Sequence, residues 1–315
     1  YIRLYCDGRL VFSSDVNNIP ISCHRMVNSW GDYEHFLSTK IWFMKSYIEP
    51  GNTLPILRAG ADRGIINFNR QRDYHLHYVI SDVFGNQTVK EFVVRGEPEA
   101  IPKPVSPEEA TPLCYAKDNR YEADGVRLDI PKGLLAKNSW LQPRRINAAS
   151  SFSMGYSFSK ASFPLFHYAR ISIKPAGVVR NPKKLYIAMR TGMGAAAPAS
   201  FCGGEYADGW VTGRLRELSN VYYIASDETS PTITQMNLNP HHLFFKITDT
   251  GSGLKGYEAY VDGKFILLAF GKNKEVFFCD LTDTPVRPTG KERTLKVIAV
   301  DNRDNRHEYM TKIKY

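Results

Sequence analysis

His75 and His77, two residues apart, are the side chains whose spacing most directly suggests chemistry. On a β-strand, residues i and i+2 project from the same face, so the pair could grip one zinc ion. A zinc hydrolase would also need a third protein ligand and a general base. The competing arrangement turns Tyr74, Leu76 and Tyr78 into the core and leaves both histidines on the solvent side. That arrangement is adopted here: His75 and His77 stand as candidate ligands only, no catalytic residue is assigned, and the chain is expected to hold no metal or cofactor of its own.

Other chemistry-bearing groups read as structural. His241 and His242 are adjacent, and neighbours on a strand point to opposite faces, which argues against a shared ion. Asp249 to Gly253 and Asp301 to Asn305 are rich in Asp, Asn, Ser and Gly, so calcium is worth testing. The EF-hand spacing fails, because the sixth residue counted from Asp301 is Arg306 and no glutamate sits at the twelfth. These stretches are expected to be turns whose side chains bond their own backbone. There is no Gly-x-Ser-x-Gly, phosphate loop or dinucleotide fingerprint; Cys23 followed by His24 leaves a Cys-His pairing open, although adjacency in sequence is not the geometry that reaction needs. The four tryptophans and 18 tyrosines could form a sugar platform, but in a β protein they are expected in the core and across strands.

The elements that would position these groups follow from an internal echo. Leu76 to Asn86 runs as apolar alternation into Asp82 and a turn ending in asparagine, and Leu295 to Asn305 repeats it around Asp301. Tyr5-Cys6-Asp7-Gly8-Arg9 precedes the first copy as Tyr260-Val261-Asp262-Gly263-Lys264 precedes the second. Strand, Asp-Gly turn, strand and a late strand is the grammar of an antiparallel sandwich. The fold class is therefore all-β, with three tandem immunoglobulin-like β-sandwich modules. Residues 1–96 form the first, 97–112 a proline-rich linker, 113–226 the middle module and 227–315 the last. The first copy has only four residues ahead of Tyr5, so that module is expected to be N-terminally truncated, with more chain upstream.

Strands are predicted at Ile2 to Cys6, Arg9 to Ser13, Lys40 to Met44, Gly64 to Phe68, Leu76 to Ser81 and Thr88 to Val94, with a short helix at Asp32 to Thr39. Five prolines in the linker deny it helix and ladder bonds and make it a stiff spacer of fixed reach. The middle module is read from Val126 to Ile130, Ala169 to Lys174, Leu185 to Arg190, Trp210 to Arg214 and Val221 to Ser226, with a loop over Gly192 to Gly204. Seven strands are read in the last module: Thr232 to Asn237, Leu243 to Thr248, Gly256 to Val261, Lys264 to Phe270, Glu275 to Leu281, Arg293 to Asp301 and Glu308 to Tyr315.

The formal charge of +9 is scattered, not gathered into a stripe, which argues against a nucleic-acid partner and leaves an anionic envelope surface. No 18-residue apolar run exists to make a membrane span. Five widely spaced cysteines signal neither a zinc ribbon nor a disulfide framework.

Several stretches together resemble a known family. They are Tyr5 to Phe12, Val27 to Tyr33, Lys45-Ser46-Tyr47-Ile48-Glu49-Pro50-Gly51-Asn52-Thr53-Leu54-Pro55, Asp208-Gly209-Trp210 and Arg214 to Leu218. In this order they look like the C-terminal β-rich tail of Gram-negative lysostaphin-type zinc metallopeptidases, the cell-wall endopeptidases. The resemblance implies a periplasmic or envelope location and an upstream catalytic domain that carries the zinc and cuts peptidoglycan cross-links. It also implies that domain as partner, with peptidoglycan or an envelope protein as further partners. The catalytic element His-x-x-x-Asp is absent, since the residues four beyond the histidines are Asn28, Thr39, Val79, Ser81, Ile171, Phe245, Lys246 and Thr311. The expected function is a non-catalytic accessory or targeting region. The alternatives are a stand-alone adhesin or carbohydrate-binding protein, and a hydrolase using His75 and His77.

Overall fold

The computed structural model describes residues 1–100, 105–147, 152–191, 199–272 and 275–315. Most of the strands expected from the sequence are present, with further short ones between them. In the first part they are β1 (Ile2–Cys6), β2 (Arg9–Ser14), β3 (Leu57–Ala59), β4 (Asp73–Ser81) and β5 (Gln87–Arg95). The middle part holds β6 (Thr111–Leu113), β7 (Asn119–Ala123), β8 (Val126–Ile130), β9 (Ser139–Leu141), β10 (Arg144–Ile146), β11 (Gly155–Ser157), β12 (Pro164–Ile173), β13 (Leu185–Arg190), β14 (Ser200–Phe201), β15 (Glu205–Ala207), β16 (Trp210–Glu217) and β17 (Val221–Ser226). The last part holds β18 (Thr232–Asn239), β19 (His242–Thr248), β20 (Leu254–Val261), β21 (Lys264–Ile266), β22 (Ala269–Phe270), β23 (Val276–Cys279), β24 (Glu292–Asp301) and β25 (Arg306–Lys314). The fold is all-β, and the pairings among the described residues are antiparallel. The first part of the expected loop over Gly192 to Gly204 lies outside the described residues, as do Pro102 and Pro104 of the linker.

By its contacts the chain divides into two compact units, Tyr1–Arg144 with Ser157–Ile171 and Leu215–Asn220, and Arg145–Tyr156 with Ser172–Arg214 and Val221–Tyr315.

In the first unit, β1 to β5 form one sheet of order β3-β2-β1-β4-β5. Alternation on β4 buries Tyr74 and Leu76, which join Leu4 and Phe12 in the core. Where the sequence suggested a second sheet, the face is covered by a helical insertion carrying Met26 and Trp30 and by the loop residues Leu54 and Ile56. The insertion includes α1 (Val27–Trp30) and α2 (Tyr33–Thr39). Asp32 caps α2 by accepting from the His35 amide at 3.1 Å, as its acidic start predicts. The stretch Lys40 to Met44 is not a strand, apart from one bridge at Met44. Its aromatics pack on α2 instead: Trp42 stacks on Phe36 at 4.2 Å and Phe43 on His35 at 4.3 Å. Gly64 to Phe68 is likewise irregular. Beyond it, Glu49 is buried and paired with Lys45 at 3.2 Å and Lys137 at 3.3 Å, while the Gly51 amide donates to the Ala136 carbonyl at 2.7 Å. Phe166 completes this core.

In the second unit, the last 89 residues build two sheets, β18-β19-β23-β22 and β21-β20-β24-β25. They enclose Leu243, Phe245, Ile247, Val261, Phe277, Leu295 and Val297 between them, a sandwich of immunoglobulin-like size. The same unit contains β13 paired along its length with β17.

The internal echo is real in three dimensions. Asp7 and Asp262 both adopt left-handed φ, 50° and 47°, followed by Gly8 and Gly263 at φ 78° each, the turn in which an Asp-Gly pair closes a hairpin. Asp7 then accepts from the His75 amide at 3.0 Å and Asp262 from the Thr294 amide at 2.8 Å. The order β2-β1-β4-β5 matches β21-β20-β24-β25 strand for strand.

Candidate metal centre

The two histidines singled out by spacing lie on the outer face of β4. His75 is exposed, and His77 stacks flat on Tyr5 with ring centroids 4.6 Å apart. Glu91 is paired opposite His77 on β5 and shares a shallow surface depression with both histidines. Among the described residues, the set of three or more potential ligands that does converge lies elsewhere: Asp227, Asp249 and Asp301, each with an oxygen within 4.8 Å of the others.

Each of these aspartates terminates a strand of the second unit. Asp227 follows β17, Asp249 follows β19, and Asp301 is the last residue of β24. Asp301 turns the chain toward β25: one oxygen accepts from the Arg303 amide at 2.7 Å and the Asn305 amide at 2.9 Å, and the other from Asn305 Nδ2 at 2.6 Å. Asp249 closes its own turn by accepting from Gly251 at 3.0 Å and Gly253 at 2.7 Å. Both turns are of the kind expected from sequence. Asp227 had no such signal, and it crosses between them, accepting from Ser252 at 2.7 Å and Thr229 at 3.1 Å.

The cluster is largely buried. Asp301 is 0% and Asp227 3% exposed, and Asp249 is partly buried. Gly251 lies directly on Asp227, where an added Cβ would fall 2.3 Å from the carboxylate carbon. Ser252 is 2% exposed, and its hydroxyl lies beside the Asp227 carboxylate. Burial pushes the Asp249 carboxyl above its ordinary value, with the Asp227 and Asp301 charges adding to it against the opposing backbone N–H groups. Burial also acts to raise Asp227, but the amide and hydroxyl of Ser252, the Thr229 amide and Asp301 outweigh it and hold that group low. Nearby Tyr186 is pushed up to about 12, chiefly by burial and then by Asp227.

Cationic side chains stand around the cluster but spend their donors on carbonyls. Arg303 donates to Leu185 O at 2.8 Å, Gly204 O at 2.7 Å and Asn302 O at 2.7 Å, and lies over the Phe201 ring at 5.3 Å. Lys184 donates to the Arg303 carbonyl at 2.8 Å and also to Asn305. Asn305 Nδ2 reaches the Asp227 carbonyl at 2.9 Å. The turn after β24 is thereby clasped to β13 and to the end of β17. The donors gathered here are oxygens throughout, which suits a hard cation and not zinc or copper.

A second surface feature lies in the same unit. A shallow groove of about 630 Å³ is lined by His241, Phe244, Phe265, Leu267, Phe278 and Asp280, among others. Among the described residues, no helix is long and apolar enough to cross a membrane.

Comparison with known proteins gives one family match: residues 110–227 match the Zu5-like domain, a segment that takes in the middle strands and ends on Asp227. No curated protein matches the sequence significantly. Among solved structures, the spore cortex lytic enzyme SleM of Clostridium perfringens aligns at TM-score 0.22 and 14% identity, over 36% of this chain and 37% of that one. The chain thus spans little more than a third of that enzyme. A calcium-stabilised adhesin with which an Antarctic bacterium binds ice aligns at TM-score 0.18 and 9% identity, over 100% of this chain and 89% of that one. The β-1,2-glucanase of Parabacteroides distasonis aligns at 0.18 and 12%, over 65% and 36%. Likeness at this level fixes neither fold nor function.

Proposed function

We propose that this chain is a non-catalytic positioning region of a cell-envelope protein, the accessory tail of a peptidoglycan metalloendopeptidase whose zinc-bearing catalytic domain lies upstream in the same polypeptide. The observation that carries the reading is the clasp of Arg303, Lys184 and Asn305, which joins the C-terminal sandwich to β13 and β17 through buried and part-buried polar contacts. A polar junction of this kind fixes direction as well as attachment. A rigid arm of that sort raises the effective concentration of whatever it carries at one distance from its anchor. The sequence stretches that resemble cell-wall endopeptidase tails support the same reading. One of them, Lys45 to Pro55, works structurally through Glu49, Gly51 and Leu54. Periplasm or envelope is the corresponding location, with peptidoglycan or an envelope protein as partner.

The test is release of soluble muropeptides from purified sacculi in the presence of zinc, by the natural full-length polypeptide and by residues 1–315 alone. Release by the first and none by the second is expected. Chelator-sensitive release by residues 1–315, or none from either, would overturn the reading.

The exposed aromatic groove at Phe244, Phe265 and Phe278 favours a second reading, a stand-alone adhesin or carbohydrate-binding protein. Aromatic faces rimmed by His241 and Asp280 suit stacking on a sugar ring. Glycan-array binding that is lost in a Phe265→Ala variant would favour it.

A further inference from the structure

We propose that β5 is a dimerisation edge, through which two copies of this chain pair antiparallel about a two-fold axis centred on Val93 and join their sheets into one. β5 closes the sheet β3-β2-β1-β4-β5, and among the described residues no strand lies beyond it. Of its nine residues all but Val94 are exposed, including Val89 at 49%, Phe92 at 45% and Val93 at 55%. Its backbone is open on the same side. The Asp7 amide donates to the His75 carbonyl at 2.8 Å, and Tyr1 and Ser81 exchange both main-chain bonds at 2.9 Å, so the odd-numbered residues of β4 bond to β1 and the even-numbered ones to β5. Since Leu76 pairs with Phe92 and Tyr74 with Val94, the N–H and C=O groups of Val89, Glu91, Val93 and Arg95 point away from the sheet. A long apolar edge of this kind is a template for another strand.

The equivalent strand of the repeat, β25, is guarded. Ser230 Oγ donates to the Arg306 carbonyl at 3.2 Å, His307 Nδ1 bonds the Pro231 carbonyl at 2.8 Å, and the Tyr309 hydroxyl bonds Gln235. Glu308, Lys312 and Lys314 stand along it where β5 has Val89, Val93 and Arg95, and charges on an edge deter pairing.

Charge complementarity names a second copy as the occupant of β5. A two-fold axis perpendicular to a sheet keeps every residue on its own face, so only odd with odd and even with even can oppose. Centring that axis on Lys90 or Glu91 would set like charges against each other, and centring it on Val89, Phe92 or Val94 matches no charges. Centring it on Val93 sets Glu91 against Arg95 twice and Phe92 against Val94 twice, the cross-strand pairs that stabilise a sheet. It also makes Val93 with Val93 and Glu91 with Arg95 the pairs that exchange backbone bonds, which are the residues whose groups point outward. Arg95 already holds Asp73 at 2.7 Å on the same face, so Glu91 of the second copy completes an acidic-basic-acidic row. The same operation on β25 would oppose Lys312 to itself. An edge that complements itself in one register suits an isologous dimer.

This inference does not rest on the accessory-tail reading, because its test reads association and not envelope function. Sedimentation velocity of residues 1–315 over a rising concentration series should show a reversible monomer-dimer equilibrium, with a dissociation constant on the order of micromolar, as suits a small interface. Val93→Pro removes an outward donor and leaves the ladder to β4 intact, and it should abolish the dimer. Glu91→Arg and Arg95→Glu should each be monomeric at concentrations where the parent chain is half dimeric. An equimolar mixture of these two variants should dimerise again, because the mixed pair restores both opposite-charge contacts, which a merely structural loss would not allow. Near-ultraviolet spectra unchanged from the parent identify the variants that are folded. A parent chain that stays monomeric at its highest soluble concentration would overturn the proposal and leave β5 to some other strand. So would a dimer that persists in the folded Val93→Pro variant, or a mixture of the two folded charge variants that does not associate.

Discussion

Asn305 donates its side-chain amide to the Asp301 carboxylate at 2.6 Å, four residues back along the chain, and the same amide reaches the Asp227 carbonyl at 2.9 Å. One side chain thus closes the turn after β24 and ties it to the segment leaving β17. The equivalent residue in the first copy of the repeat, Asn86, makes the first bond but, among the described residues, has no such second role.

That contrast yields a paired expectation. Asn305→Ala removes buried bonds to a carboxylate and a carbonyl and should lower unfolding free energy by about 2–3 kcal/mol. Asn86→Ala, at an exposed turn, should leave the denaturation midpoint nearly unchanged. Urea unfolding of the two variants beside the parent chain measures both, and equal losses would refute the asymmetry.

Gly51 is expected to be intolerant of any side chain. A Cβ there would lie 2.1 Å from the Leu135 carbonyl oxygen and 3.0 Å from that of Ala136, so the amide bond to Ala136 could not persist unshifted. Gly51→Ala should cost about 1–3 kcal/mol. Gly256→Ala, where nothing lies within 4 Å of the built Cβ, is the control and should cost little. Thermal melts of the pair give the comparison.

The Asp7 carboxyl is held below its ordinary value of 3.8, first by the His75 amide and then by Arg72, whose guanidinium lies 2.8 Å away. A group depressed on folding contributes stability that is fully present above the unfolded-state value and is lost as pH falls through the lower folded value. The melting-temperature difference between the parent chain and Asp7→Asn should therefore be constant above about pH 5 and shrink below about pH 4. A difference that grows on acidification would contradict the assignment. Asp7 is exposed, so the effect should also weaken in high salt.

The fold was largely legible in the sequence because its signals are local. Asp7-Gly8 and Asp262-Gly263 state their turns outright, and β13 and β17 fall on the expected residues, Leu185–Arg190 and Val221–Ser226. Lys40 to Met44 misled because its apolar run is satisfied by stacking on α2, a tertiary choice invisible to alternation. The site was legible in pieces. Asp249 and Asp301 announce turns, and they make those turns. Their meeting with Asp227 depends on where three strand ends arrive, which no spacing within one segment encodes. Arg303, set among Asp301, Asn302, Asp304 and Asn305, reads as an exposed turn residue, yet its guanidinium anchors Leu185 and Gly204.

Arg303 locks the C-terminal sandwich to β13 through the Leu185 carbonyl. Spin labels introduced as non-canonical residues at two exposed positions of this unit, Tyr206 on β15 and Met310 on β25, report the distance distribution between them. One narrow distribution is expected in the parent chain and a broadened one in Arg303→Ala, where the carbonyls of Lys183, Leu185, Gly204 and Asn302 lose their donor. A broad distribution in the parent chain, or an equally narrow one in Arg303→Ala, would contradict it.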